Sequence, residues 1–425
     1  MTITHLVKRT RYIFVFLLFS LSLPSAYAQI NQGMSIERLS RIDGVMQGYV
    51  DNEKIGGAVV YIARNGMPVY HKAFGMRDTA SKDPMKRDNM FRIASQSKAI
   101  TSVGIMILQE QGKLLIGDAV GKYLPEYMET TVAADDGKGG YTVVPAKRKI
   151  TIRDLLTHTA GISYGTGPGE AAWKKAGIYG WYFADRDEPI RETVRRIASL
   201  PQAAQPGEQF VYGYNTDILG AVIEVVSGQS LDQFIKENIL DPLHMHDTVF
   251  YVPKEKANRL ATVYSLKGDK INLADNPGQM DGGRHVGQGH YVTGPRKSFS
   301  GGAGLISTTH DYGTFLQMML NGGELNGARI ISRKTVELMT KNHIGDIEFG
   351  AGRKFGLGFE IVMDMGAFGQ PSSEGNFGWG GAYHSTYWVD PKEKIVFVYL
   401  TQLIPAGDMN ESDKLRALIY QAIVD

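Results

Sequence analysis

The chain has 425 residues, of which 43% are hydrophobic and 21% charged, a composition typical of a folded protein with a sizeable core. The formal net charge of +2 argues against a strongly basic, nucleic-acid-binding surface. The sequence contains no cysteine, which excludes disulfide bonds, thiolate catalysis and a lipid attached through cysteine.

The first 28 residues have the pattern of a secretory signal peptide. Lys8, Arg9 and Arg11 form a basic start, residues 12–23 are mostly apolar, and residues 26–28 read Ala-Tyr-Ala, a small-x-small cleavage pattern. The apolar run is shorter than the ~20 residues of a membrane-spanning helix, which disfavours the alternative of an uncleaved anchor. We therefore predict cleavage after Ala28, export to the periplasm or secretion, and no stable membrane insertion afterwards. Cleavage removes three basic and no acidic residues, so the net charge changes from +2 to −1 (2 − 3).

The mature chain has predicted strands at both ends and predicted helices between them. A helix over 35–51 precedes two β-rich runs that flank Asn65-Gly66, a dipeptide suited to a tight hairpin. Near the other end, 383–402 reads as strand, Asp-Pro turn and strand, and 411–425 as an amphipathic helix. Further helices are predicted at 96–111, 151–157, 190–200, 217–227 and 310–321, and long Gly-rich loops near a cleft at 136–140 and 278–304.

This order of elements predicts an α/β (α+β) fold. The two chain ends pair in one antiparallel sheet with flanking helices, and a mainly helical region is inserted beside it. The predicted organisation is a signal peptide at 1–28 and one domain at 29–425. The sheet part covers about 29–93 and 300–425, and the helical part about 94–299.

Ser95 and Lys98 form an S-x-x-K pair at the start of a predicted core-facing helix. Residues i and i+3 share a helix face, and unpaired N–H groups in the first turn favour negative charge. Ser95 is therefore a candidate nucleophile, with Lys98 to orient or deprotonate its hydroxyl. About one such match arises by chance in a chain of this length, so the alternative is a helix-capping serine beside a solvated lysine.

Two later stretches provide partners for this pair. Tyr212 precedes a helix that ends near Ser227-Gly228, and its phenol can shuttle protons beside the serine. The run Trp379-Gly380-Gly381 enters a strand, and the N–H of Ala382 can complete an oxyanion hole with that of Ser95. The alternatives are a tyrosine that anchors a loop and a glycine pair that makes a turn.

Four blocks in order resemble the serine β-lactamase and penicillin-binding family: FRIASQSK, LLTHTAGIS, SGGAGLISTTHDY and GWGGAYHSTYWVDP. The resemblance spans about 35–425 and is strongest to its class C-like branch and the family VIII carboxylesterases. It implies an acyl-enzyme on Ser95, a base system of Lys98 and Tyr212, and a third, strand-borne motif at Trp379–Gly381. Whether Lys98 or Tyr212 takes the first proton stays open.

The sequence departs from that family pattern at three places. The tyrosine motif reads Tyr212-Gly213-Tyr214 instead of Tyr-x-Asn, with Tyr214 as the lesser candidate for the match and a possible substrate contact. Trp379-Gly380-Gly381 replaces Lys-Thr-Gly, so the three residues form an uncharged substrate-binding wall. His384 stands where esterase relatives often have glycine, and we expect its side chain to narrow the pocket.

The missing cation favours an ester over a β-lactam as substrate. A charge-assisted contact to a carboxylate is worth roughly 1.5–3 kcal/mol, or about tenfold to a hundredfold in recognition. We predict a carboxylesterase for short-chain acyl esters, with room for weak cephalosporin hydrolysis if Arg284, Arg296 or Lys297 supplies a substitute cation. The alternatives are a class C-like β-lactamase, a D-alanyl peptidase or penicillin-recognising protein that acylates without turnover, and a non-catalytic binding domain.

Other motifs carry less weight. GISYG at 161–165 fits the G-x-S-x-G elbow of α/β-hydrolases, but Ser163 follows a predicted helix and precedes a loop. His244-Met245-His246 has no further ligand cluster, so no metal site is predicted, and GKGG at 137–140 is too short for a phosphate loop. We predict no cofactor and no nucleic-acid partner, and the sequence gives no indication of the oligomeric state.

Overall fold

The computed structural model describes residues 30–274, 280–281, 284–285 and 289–425. The predicted signal peptide lies outside the described residues, as does part of the Gly-rich stretch at 278–304. Within the described residues no single helix is long and apolar enough to cross a membrane; the pair Asn215–Ser227 and Leu231–Leu240 reaches that length and composition only together, with a bend of 83°.

The largest sheet in the described part of the chain has eight antiparallel strands of unequal length. Its strands in chain order are β1 (Gly57–Arg64), β2 (Met67–Asp78), β3 (Asp83–Pro84), β4 (Arg353–Phe355), β5 (Glu360–Val362), β6 (Phe377–Gly381), β7 (Ser385–Asp390) and β8 (Ile395–Thr401). The spatial order is β4-β5-β6-β7-β8-β1-β2-β3. The last strand, β8, therefore pairs with the first, β1, in a register that runs from Ile395 opposite Arg64 to Thr401 opposite Ala58. Both ends of the chain close one sheet, as predicted.

The neighbouring strands β8 and β1 are apolar on both faces because helices cover both faces of the sheet. On β8, Ile395, Phe397 and Tyr399 pack on one side, whereas Val396 and Val398 pack on the other. Strand β1 alternates in the same way, since successive side chains of a strand point to opposite faces.

The outer face of the sheet is covered by α1 (Arg41–Asp51) and the C-terminal α7 (Glu411–Tyr420). Ile42 and Met46 of α1 and Leu415 and Ile419 of α7 are buried there against the sheet. The helical spacing of these residues produces the apolar stripe that the sequence predicted.

The inserted helices lie beside the sheet, and the last of them, Thr309–Leu320, covers its inner face at β1 and β8. These are α2 (Ser97–Glu110), α3 (Ile152–Leu156), α4 (Ile190–Ala198), α5 (Asn215–Ser227) and α6 (Thr309–Leu320). Shorter helical segments are Ile36–Leu39, Glu170–Lys175, Leu231–Ile235 with a π-helical continuation to Leu240, His290–Thr293, Arg333–Met339 and Met365–Phe368, and 3-10 turns are Ala94–Gln96, Val120–Lys122, Pro125–Tyr127 and Lys254–Arg259. Two-stranded pairs are Ile30–Asn31 with Met34–Ser35, Phe91–Arg92 with Ile306–Ser307, Thr131–Asp135 with Tyr141–Pro145, Tyr264–Lys267 with Lys270–Leu273, Met280–Asp281 with Arg284–His285, and Glu324–Leu325 with Ala328–Arg329.

The predicted fold class is confirmed: one large antiparallel sheet from both chain ends, flanking helices and a mainly helical insertion. Two local predictions are wrong. Residues 136–140 are the turn of the hairpin Thr131–Asp135 with Tyr141–Pro145 and not a long loop over a cleft, because the β-rich flanks pair with each other. The predicted helix at 96–111 is preceded by a 3-10 turn, so Ser95 lies just before α2 and not in its first turn.

Candidate active site

Ser95 sits on a tight turn that exposes its side chain to a cavity. It occupies the middle of the 3-10 turn Ala94–Gln96, between the short strand Phe91–Arg92 and α2. Ala94 has a φ of +43°, a left-handed conformation that is strained for a residue with a Cβ. The half-buried Ser95 lines a cavity of about 520 Å³. The strained residue therefore directly precedes Ser95, which lines the cavity.

Lys98 lies one turn further along α2, and its amine contacts the Ser95 hydroxyl. The Nζ atom donates to Ser95 Oγ at 3.1 Å, to the hydroxyl of Tyr164 at 3.0 Å and to the carbonyl of Gly302 at 2.7 Å. The side chain is only 2% exposed. These three contacts fix the amine beside the serine, so the helix-capping alternative does not describe this pair.

A buried aspartate fixes the position of Gly302, the residue whose carbonyl accepts a hydrogen bond from Lys98. Asp217 on α5 accepts the Gly302 N–H at 3.1 Å and the Ser300 hydroxyl. A Cβ at Gly302 would lie 2.5 Å from Asp217 Oδ2, which explains the glycine. Burial raises the pKa of Asp217, and the charge of Lys98 opposes that rise. The sequence reasoning missed Asp217, although its place in the predicted helix next to the tyrosine motif was available.

Tyr164 is the second residue that the sequence reasoning missed. Its hydroxyl bonds to the buried Lys98 amine, and it lines the cavity with Ser95. Burial raises the pKa of the Tyr164 phenol well above its ordinary value, and the neighbouring Tyr212 and Asp217 act in the same direction. The phenol is therefore neutral at ordinary pH and can donate or relay a proton.

Of the residues in the motif GISYG, Tyr164 lines the Ser95 cavity and Ser163 does not. Ser163 Oγ donates to the Thr166 carbonyl at 2.8 Å and accepts the N–H groups of Gly165 and Thr166. These bonds hold the turn that presents Tyr164, and Ser163 is itself buried.

Tyr212 lines the same cavity but contacts different partners. Its hydroxyl accepts a hydrogen bond from Nε1 of Trp379 at 3.0 Å, and Lys98 Nζ lies 4.7 Å from the centroid of its ring. His158 packs against the Tyr212 ring with a centroid distance of 4.6 Å. Burial, and then the charge of Lys98, hold the pKa of His158 well below its ordinary value, so the imidazole is neutral.

The third motif forms the wall opposite α2. Trp379, Gly380, Gly381 and Ala382 all line the cavity. Strand β5 pairs with β6 only at Phe377–Gly378, so the edge of β6 from Trp379 onward is open on that side. A Cβ on Gly381 would lie 2.5 Å from the carbonyl oxygen of Ile93, so glycine lets β6 approach the segment that carries Ser95. Ala382 follows Gly381 directly and lines the cavity together with Ser95.

Two predicted substrate contacts are corrected. Tyr214 is 0% exposed and absent from the cavity lining; it stacks on Trp173 and donates to the Gly180 carbonyl, because it points into the core beneath Tyr164. His384 does not line the cavity either and does not narrow it. Its ring turns away toward Glu411 on α7, and its Nε2 atom is in close contact with Glu411 Oε1.

The substitute cations differ from those proposed from the sequence. Arg296 donates to the Val252 carbonyl at 3.0 Å and lines a separate cavity, and Lys297 pairs with Asp187 at 2.7 Å. The side chain of Arg284 lies outside the described residues. The cations that line the Ser95 cavity are Arg353 and Arg416.

His244 and His246 lie in a turn with ring centroids 5.8 Å apart. Across the part of the chain that the structure describes, no group of three or more His, Asp or Glu side chains is arranged to hold a metal ion.

Comparisons with known proteins show the family of the chain. The chain is 32% identical over 371 residues to Protein Rv1367c of Mycobacterium tuberculosis (83% of this chain, 86% of the relative) and 29% identical over 377 residues to Esterase EstB of Burkholderia gladioli (87% and 91%). Among solved structures, "EstCE1, a hydrolase with promiscuous acyltransferase activity" superposes with a TM-score of 0.77 at 29% identity, covering 92% of this chain and 99% of that one. The model of the Beta-lactamase family matches residues 42–421. The resemblance inferred from the four sequence blocks is confirmed, and the chain belongs to the Beta-lactamase family of serine hydrolases.

Proposed function

We propose that the protein is a carboxylesterase that cleaves short-chain acyl esters through an acyl-enzyme on Ser95. The observation that carries the proposal is the 3.1 Å contact between Lys98 Nζ and Ser95 Oγ at the floor of an open cavity. The similarity to EstB and EstCE1, whose names describe an esterase and a hydrolase, supports the same reaction class.

In the proposed reaction, Ser95 Oγ attacks the ester carbonyl carbon while its proton passes to the base system at the Lys98 amine. The tetrahedral oxyanion is stabilised by the N–H groups of Ser95 and Ala382. The sequence predicted Tyr212 for the proton relay; we propose Tyr164 in its place because the Tyr164 phenol is bonded to the Lys98 amine, whereas the Tyr212 hydroxyl is bonded to Trp379. The Tyr164 phenol relays the proton to the alcohol oxygen as the carbon–oxygen bond breaks. Water then attacks the acyl-enzyme in the reverse sense, which releases the carboxylic acid and returns the proton to Ser95.

The cavity walls support an uncharged substrate. Trp181, Tyr212, Trp379 and Tyr387 present aromatic surface around Ser95. Such surface binds neutral acyl or alcohol groups and gives no charged contact to a carboxylate at the position of the third motif. Of the two arginines that line the cavity, Arg353 is nearer in sequence to this motif. Its Nη1 atom forms a salt bridge with Glu360 Oε2 at 2.9 Å.

One observation favours a second candidate function, a β-lactamase. Arg416 on α7 lines the same cavity, and its Nη1 atom is buried without a hydrogen-bond partner among the described residues. A β-lactam carboxylate is a chemically suitable partner for that group. The Arg416 guanidinium lies 4.9 Å from the centroid of the Trp388 ring, which lines the same cavity.

The test is turnover of p-nitrophenyl butyrate beside nitrocefin, with Ser95→Ala as the control. Faster turnover of the ester supports the carboxylesterase, and faster turnover of nitrocefin supports the β-lactamase. A stoichiometric burst that stops would identify a penicillin-recognising protein that acylates without turnover. Equal ester turnover by Ser95→Ala would contradict both enzymatic proposals.

A further inference from the structure

The turn between β6 and β7 carries the proposed oxyanion donor, Ala382, and is held at three points. The N–H of His384 donates to the Gly381 carbonyl at 3.0 Å, which closes the turn. The N–H of Leu403 donates to the Tyr383 carbonyl at 3.1 Å, which ties the turn to the segment after β8. The third point is the side chain of His384, whose Nε2 is in close contact with Glu411 Oε1.

His384 occupies a backbone position that favours glycine. Its φ is +63°, in the left-handed region where a Cβ is unfavourable. Since the imidazole does not line the Ser95 cavity, contact with substrate does not account for a histidine there. The interaction with Glu411 does account for it, because the left-handed conformation aims the ring at the start of α7.

The buried carboxyl group of Glu411 has His384 as its neighbouring polar partner. Its side chain is 0% exposed, at the first position of α7, and no lysine or arginine pairs with it among the described residues. Tyr399 lies beside it; burial, and then the charge of Glu411, raise the pKa of that phenol well above its ordinary value, so Tyr399 supplies no charge. A buried carboxylate without a polar partner is strongly unfavourable, and the Nε2 atom of His384 is such a partner.

We propose that His384 and Glu411 are a positioning pair for the oxyanion hole. The pair ties the β6–β7 turn to α7, and the turn in turn holds the Ala382 N–H toward the oxygen that becomes negative during attack by Ser95. Neither side chain touches the substrate. The inference rests on the proposed function, in which Ala382 donates to the oxyanion.

A positioning role and a purely structural role differ in what they change. Loss of a structural contact lowers the melting temperature and leaves the chemistry of the folded enzyme unchanged. Loss of positioning weakens the binding of the transition state more than that of the ester, because the oxyanion forms only during the reaction. A trifluoromethyl ketone with a short alkyl chain reports this difference, since Ser95 adds to it to form a tetrahedral oxyanion.

The first variant is His384→Gly, since glycine adopts the same backbone conformation and removes only the ring. We expect kcat for p-nitrophenyl butyrate to fall about tenfold to a hundredfold, the trifluoromethyl ketone to bind more weakly by a similar factor, and KM to change less than about threefold. The matched control is Lys394→Gly. Lys394 also has a left-handed φ, +54°, in the exposed turn between β7 and β8, and its removal should leave all three quantities unchanged.

The partner variant is Glu411→Gln. We expect a loss of kcat similar to that of His384→Gly, and the double variant to lose no more than the worse single variant, because the two residues act as one unit. A folded His384→Gly variant with kcat and inhibitor affinity within about twofold of the wild type would overturn the proposal.

If His384→Gly does not fold, His384→Gln and His384→Leu replace it. The glutamine amide can donate to Glu411 and leucine cannot, so kcat of His384→Gln should exceed that of His384→Leu by about tenfold; equal values would overturn the proposal. Failure of the proposed function is separately visible, because the wild type would then not turn over the ester or Ser95→Ala would retain activity.

Discussion

The amine of Lys98 lies 3.1 Å from the hydroxyl of Ser95, and the lysine is almost completely buried. The same amine contacts the phenol of Tyr164 and the carbonyl of Gly302, so its position is fixed from three sides. We propose that a serine and a lysine that meet in this way act as one functional unit.

Replacement of Lys98 by alanine should cost nearly as much activity as replacement of Ser95. We expect each variant to lower kcat by at least about a thousandfold, and the double variant to be no worse than either, because the residues of one catalytic unit are not additive. The measurement is kcat for p-nitrophenyl butyrate with each purified variant. Retention of most activity by Lys98→Ala would show that the base is another group.

Tyr164 and its sequence neighbour Ser163 provide a matched pair of variants. Tyr164→Phe removes the hydroxyl that bonds to Lys98 and keeps the ring, and we expect kcat to fall about a hundredfold. Ser163→Ala removes a hydroxyl that bonds only within its own turn among the described contacts, and turnover should persist. If Ser163→Ala lost more activity than Tyr164→Phe, the interpretation of GISYG as a nucleophile elbow would be favoured instead.

Gly381→Ala tests the close approach of β6 to the serine. The new Cβ would meet the Ile93 carbonyl at 2.5 Å, so either β6 or the segment before Ser95 has to move. We expect kcat to fall by more than about tenfold while the variant remains folded. The control is Gly44→Ala in α1, where a Cβ meets nothing within 4 Å; it should retain kcat and gain about 0.5–1 kcal/mol of stability. Equal activity of the two variants would contradict this account of Gly381.

Buried tyrosines predict a loss of stability at alkaline pH. Burial raises the pKa values of Tyr127, Tyr291 and Tyr312 well above the ordinary value of about 10. The unfolded chain releases these protons near pH 10 and the folded chain keeps them. The stabilising contribution is therefore complete below pH ~10 and is lost as the pH rises above it.

Urea unfolding at pH 8, 9.5 and 10.5 measures that loss. Each such tyrosine contributes a slope of up to about 1.4 kcal/mol per pH unit above its unfolded-state pKa. Tyr127→Phe should start about 1 kcal/mol less stable at pH 8, because it loses its bond to the Val194 carbonyl, and should decline less steeply. A decline identical to that of the wild type would contradict the assignment to Tyr127.

Much of the fold followed from local pattern. The hairpin at Asn65-Gly66, the Asp-Pro turn at 390–391 and the helical periodicity at both ends predicted a sheet closed by the two termini, and the pairing of β1 with β8 has that form. The hairpin at 131–145 was missed because its tip is rich in glycine and its strands lie outside the main sheet. Short Gly-rich runs indicate a turn but do not reveal which flanking segments pair.

The candidate site was predictable where one motif carries the chemistry and not where distant side chains meet. Ser95 and Lys98 are three residues apart, and the 3-10 turn that leads directly into α2 keeps them on one side as helical spacing predicts. Tyr164 and Asp217 reach Lys98 from other segments, directly or through Gly302, and no local pattern marks those contacts. The roles of Tyr214 and His384 depended on the direction in which each side chain points, which sequence spacing does not determine.

Labelling with an alkyl fluorophosphonate tests the central claim most directly. The probe forms a covalent bond with an activated serine, and digestion followed by mass spectrometry identifies the residue that carries it. We predict one adduct per chain, on Ser95, and none in the Lys98→Ala variant on the same time scale. An adduct on Ser163 or on any other residue of the wild-type enzyme would contradict the account.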